Sequence, residues 1–240
     1  MSETIRWWLV VEGIGVLGLP IALTIFRSLP DRGYAFAKPL TILLGGYLFW
    51  LALSLHVLPN RPGSIVWCFA CVALVSGFIL KNHGGEIRAA LGQRLAVVIA
   101  VEVVFTAVLF AGAHLRSYVP EIAATEKPMD FMYLNAATRS RFYPPSDAWL
   151  SGFNVSYYYF GYVIQAMLGK LAALPTAVTF NLALASTAAL GATAALGRAV
   201  SRWAATFAIA ALTSTRGSRH TRIARGRRHE FVQAHTRTPR

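Results

Sequence analysis

The sequence predicts an all-α polytopic membrane protein: a bundle of about six transmembrane helices with one long, partly helical external loop. Three observations carry this. The 240 residues are 55% hydrophobic and 14% charged, whereas soluble domains carry about 25% charged residues. Several apolar runs approach the roughly 20 residues a helix needs to cross a bilayer core. None of the runs alternates apolar with polar positions, as the strands of a membrane barrel do.

The first run covers residues 7–26 and opens on Trp7 and Trp8, where indoles favour the membrane interface. Glu12 lies one turn inside. An intramembrane carboxylate is a candidate functional group, although Glu12 is shallow enough to reach headgroups. The segment MSETIRWW lacks the basic region and cleavage site of a removed signal peptide, which predicts a retained first helix. Residues 27–39 form a polar loop with Pro30, Asp31 and Gly33 as turn formers. Runs at 40–58 and 64–80 form a membrane hairpin around a short turn at 59–63, with His56 at the interface. Residues 81–94 read as a polar connector. Its Gly84–Gly85 lacks the preceding strand and following Lys-Ser/Thr of a phosphate cradle and reads as a helix-ending turn. Cys68 and Cys71 sit in an apolar run with no second pair nearby, so they read as buried packing thiols rather than a metal or redox pair.

The fourth run covers 95–113 and carries Glu102 near its middle. That carboxylate costs a few kcal/mol unless it is protonated, paired or facing a polar cavity. A long loop at 114–156 follows. Runs at 157–174 and 178–196 come next, the latter rich in small residues suited to close helix packing. Residues 201–212 are too few to span.

Two regions result, a transmembrane domain at 1–212 and a basic tail at 213–240. The net charge of +13 does not indicate a nucleic-acid partner. The tail holds eight Arg and one Glu, which accounts for +7; the remaining +6 is dispersed over loops. The tail has too little apolar content to build a core. Its abrupt change of composition near Leu212 reads as a shifted reading frame, with a lipid-attracted cytoplasmic arm as the other reading. Lys and Arg concentrate in the loops at 27–39 and 81–94. The positive-inside rule places those loops in the cytoplasm and the neutral 114–156 loop outside.

Candidate chemistry gathers between Glu126 and Asn181. Pro128 suits the first turn of a helix over 129–140, with Asp130 near its positive end as a general base, a metal ligand or simply a cap. Pro144-Pro145 enforces a turn from which Asp147 and Trp149 project; Asp147 could also only close an Asx turn and Trp149 only join the aromatic belt. Tyr157, Tyr158 and Tyr159 open the next helix, where successive side chains diverge by about 100°. At least one must then face protein or a cavity, and their hydroxyls can bond phosphate or sugar oxygens.

Glu126, Met129-Asp130-Phe131, Asn135, Arg139-Ser140, Pro144-Pro145, Asp147, Trp149, Gly152, Tyr157-Tyr158-Tyr159, Gly161 and Asn181-Leu182 together resemble the signature of the YYY-motif integral membrane proteins, a family of unknown biochemical function. The resemblance covers roughly residues 126–190. Ala148 departs from it, standing where a Pro is expected. Members are longer, so the chain looks like an N-terminal fragment. That family is in turn similar to the C-type glycosyltransferases, which carry an essential acid in their first long external loop. The resemblance implies sugar transfer at the external membrane face from a polyprenyl-phosphate sugar held among membrane lipid. It matches Asp130 to that acid, with Asp147 as a second one. Arg139, Arg141, Trp149 and Tyr157–Tyr159 become candidates for binding donor phosphate or sugar, and a divalent metal ion is left open. The competing readings are a transporter or lipid-binding protein using Glu12 and Glu102, and an inactive truncated product.

Overall fold

A computed structural model describes residues 1–199, which are mostly helical with no strand among them. Helix α1 spans Ser2–Ile25. After a short 3-10 turn at Tyr34–Phe36, α2 covers Ala37–Ser54, α3 Pro62–Gln93 and α4 Leu95–Tyr118. Shorter helices follow, α5 at Lys127–Arg139 and α6 at Phe160–Leu171. The last, α7, covers Thr176–Ala199. Five helices are long and apolar enough to cross a membrane: α1, α2 with its 3-10 turn, α3, α4 and α7. The protein is a multi-pass membrane bundle. The segment 201–212 and the tail at 213–240 lie outside the described residues.

The most extensive packing joins α1 to α2. Gly18 makes it possible, because a Cβ there would collide with Thr41. Backbones approach closely where a side chain is missing, which is how membrane helices gain dispersion contact without help from water. Gly45 plays the same part on the other face of α2, against the Phe69 ring of α3. Trp7, Val11, Phe49, Leu53, Ile65, Phe105, Leu109 and Met167 fill the centre. The Trp7 indole, fully buried, donates to Ser186 on α7 at 2.5 Å.

Two expected elements differ. The connector at 81–94 is no loop: α3 continues through Gly84 and Gly85 to Gln93 and turns directly into α4 at Arg94. Polar residues ended the hydrophobic run without ending the helix, which at 32 residues is about 48 Å long, against a hydrocarbon core of about 30 Å. Arg94 is fixed by donating to the Pro30 carbonyl at 2.6 Å. The run at 157–174 contains only the 12-residue α6, too short to span. Its first three residues are not helical, and Ala172 and Ala173 turn the chain back into α7. Of the two cysteines, both free, Cys68 is buried as expected but Cys71 is exposed.

Candidate functional site

The expected helix over 129–140 is present as α5, with Pro128 in its first turn and Asp130 beside it. Asp130 thus sits at the positive end of the helix dipole. Glu126, Asp130 and Tyr133 follow at spacings of four and three, so they share one face. That face meets the segment leading into α6. The Tyr162 hydroxyl donates to Asp130 Oδ1 at 2.5 Å. Tyr133 stacks on Tyr157 with centroids 5.0 Å apart and planes 10° from parallel, and lies 5.5 Å from the Tyr162 ring. Tyr157 stacks in turn on Tyr158 at 3.9 Å, and their hydroxyls bond to each other. Four tyrosines and Asp130 therefore form one cluster.

Electrostatics follow from this geometry. Burial, then the hydrogen bond to Asp130, pushes the Tyr162 hydroxyl well above the ordinary tyrosine range, so it stays a proton donor. The bond to Tyr158 raises Tyr157 to about 12. Tyr133 is raised by burial and then by the charges of Asp147, Tyr158 and Asp130, so both acids act on the same hydroxyl.

The tyrosine triplet divides. Tyr157 and Tyr158 belong to the Asp130 cluster, whereas the Tyr159 hydroxyl accepts from the Trp50 indole of α2 at 3.1 Å, with the buried Tyr143 ring 6.2 Å away. The divergence expected of the triplet occurs, through an irregular chain instead of helical twist. Between the two halves opens a cleft of about 330 Å³, lined by Tyr47, Trp50, Tyr157, Tyr158, Tyr159 and Phe160, every one aromatic.

The other candidate residues are placed differently. Asp147 Oδ1 accepts from the backbone N–H groups of Trp149 and Leu150 at 2.8 and 3.0 Å, which closes the turn. The Trp149 ring is 70% exposed. Arg139 is nine residues from Asp130, hence about 13 Å along α5 and on its opposite face; it is exposed and has no hydrogen bond or ion pair among the described residues. Arg141 is also exposed and lies over the Phe142 ring at 5.3 Å. The structure does not bring either guanidinium to Asp130.

Sequence reasoning missed Tyr133 and Tyr162, although the spacing from Asp130 to Tyr133 marked a shared face. It also missed the fastening of α5. The Asn60 amide donates to the carbonyls of Ala137 and Ser140 at 2.8 and 2.7 Å, serving the C-terminal end of α5. Lys170 of α6 donates to the Asn60 side chain and backbone oxygens. Burial without a carboxylate partner pulls that amine down to about 8. Asn135 accepts from Thr176 at 3.0 Å, and Asn181 accepts from Arg116 at 2.8 Å, tying α5 and α4 to α7.

The family model for the uncharacterised membrane proteins DUF2298 matches residues 44–232, most of the chain and all of this site. The chain belongs to this family. Neither the curated proteins nor the solved structures contain a match to it.

Proposed function

We propose that this DUF2298 protein is a membrane glycosyltransferase-like protein in which Asp130 is the general base. The observation that carries the reading is a carboxylate oriented by Tyr162, in a tyrosine cluster whose members Tyr157 and Tyr158 also line an all-aromatic cleft. Aromatic faces bind the apolar faces of sugar rings and isoprenoid chains without strong directional demand. A carboxylate in the cluster that walls such a cleft can take the proton of an acceptor hydroxyl as its oxygen bonds to the anomeric carbon of the donor and polyprenyl phosphate leaves. Tyr162 donates to the carboxylate and keeps Asp130 aimed. Asp147 acts as a turn-holding acid. Arg139 and Arg141 suit phosphates of membrane lipid, and of a polyprenyl-phosphate donor at the external face, better than a group at Asp130. Among the described residues no three His, Cys, Asp or Glu side chains gather as a metal site, and the reading uses Asp130 as a base.

Incorporation of labelled sugar from polyprenyl-phosphate donors into acceptor, in membranes carrying the protein, tests this. Asp130→Asn keeps the shape and lowers transfer by about 10² to 10⁴, with expression and melting unchanged. Full activity in Asp130→Asn removes the reading. A second reading, transport or lipid binding, is favoured by the meeting of Glu12 and Glu102.

A further inference from the structure

Three helices bring charges together in the bundle interior, far along the chain from Asp130. Lys38 Nζ of α2 lies 2.6 Å from both Glu102 carboxylate oxygens of α4 and 3.1 Å from Glu12 Oε2 of α1. Tyr34 donates to Glu102 Oε1 at 2.8 Å. The Lys38 stem packs on Gly15, and its ammonium sits 4.7 Å from the centre of the Phe105 ring. The side chain of Lys38 is only 8% exposed and that of Glu12 18%.

The charges do not balance. Two carboxylates face one ammonium, so the fully ionised cluster carries one negative charge inside a membrane span. Glu102 has both oxygens occupied by Lys38 and one also by Tyr34. Glu12 has one contact, and its Oε1 is buried with no partner. A surplus carboxylate in apolar surroundings is neutralised by a cation or a proton. A metal cation would have to approach an ammonium that already fills the space between the acids. A proton needs no such room. The buried, unpartnered Oε1 of Glu12 leaves a place for it. Among the described residues, Lys38 and Glu102 are the charged groups acting on Glu12; α3, α6 and α7 bring it none.

We infer that Glu12, Lys38 and Glu102 form an intramembrane proton-binding site that holds one proton on its two carboxyl groups. Glu12 is its main carrier, because Lys38 and Tyr34 stabilise the charge of Glu102. The site is independent of the sugar-transfer reading and stands if that reading fails.

Infrared spectroscopy of the purified full chain in lipid nanodiscs tests this. At neutral pH the wild type shows the carbonyl stretch of a protonated carboxyl group, shifted by incorporation of ¹³C-glutamate. Glu12→Gln removes the band. Glu102→Gln removes it too, since Lys38 then balances Glu12 alone; a buried glutamic acid that is merely structural keeps its band in that variant. If neither variant folds, the wild type still decides through the isotope shift and an acid–alkaline titration of the band. Absence of the band in the wild type at neutral pH, a band insensitive to ¹³C-glutamate, one that survives either substitution, or one displaced by sodium at fixed pH overturns the inference.

Discussion

Asp130 and Glu12 are both carboxylates in a protein with few charges, and the chain treats them in opposite ways. Asp130 stands at the first turn of α5, partly exposed, oriented by a tyrosine hydroxyl and a helix dipole. Neutral donors suffice there because water shares the work of solvation. Glu12 lies inside α1, where solvent gives little help, and its one partner is the Lys38 ammonium of α2, shared with Glu102 of α4. The price of a misplaced charge is thus low at one site and high at the other. A group near water can be tuned for chemistry by small dipoles, while one inside the span must be balanced outright.

The largest test of this contrast is Lys38→Met. It leaves two partly buried acids with no cation and should cost up to about 3–5 kcal/mol, read as a lower midpoint of unfolding in detergent, with much of the loss recovered in Lys38→Met/Glu102→Gln. An unaltered midpoint would mean that the cluster is solvated. Next comes Gly18→Val, which drives a Cβ into Thr41 at the α1–α2 contact that holds Lys38 in place. Overpacking of this kind costs about 1–3 kcal/mol, and the variant should melt earlier while Gly13→Ala, with open space at its Cβ, does not.

Tyr162→Phe is the matching change at the exposed site. It removes one donor and keeps the ring, so stability should fall by only about 0.5–1.5 kcal/mol; a loss as large as that of Lys38→Met would erase the distinction between the sites. The last test is one of pH dependence and concerns Lys170, a half-buried amine without the carboxylates Lys38 enjoys. Its folded value is about 8 against an ordinary 10.5, so between those pH values the unfolded chain holds more protons than the folded one. Stability from this group must therefore rise across that window. A melting series on the wild type minus the same series on Lys170→Met should show that rise; a flat or falling difference rejects a desolvated amine.

Much of the bundle was legible because composition and run length report on solvent directly. The start of α5 was legible too, since Pro128 and Asp130 are local signals that need no tertiary knowledge. The length of α3 was not, because hydropathy records where lipid ends and says nothing of where the backbone ladder ends. At the candidate site the sequence pointed to Asp130 and the tyrosine triplet but paired them with Arg139, which helical geometry puts on the far face. Glu12 and Glu102 were visible as anomalies. Their link was hidden because Lys38 reads as one more loop charge until the closeness of α1 and α2, granted by Gly18, carries it inside. Sequence separations of 26 and 64 residues leave no local trace of such a meeting.

The brevity of α6 has a consequence for addressing. A sixth crossing would have returned the polypeptide to the compartment it started from. With α6 turning back, the five helices long and apolar enough to span make an odd number of crossings through residue 199, which predicts that the first residue of α1 and the last of α7 face different compartments. Reporters fused ahead of α1 and behind α7 should then give opposite signals, one reading each aqueous phase.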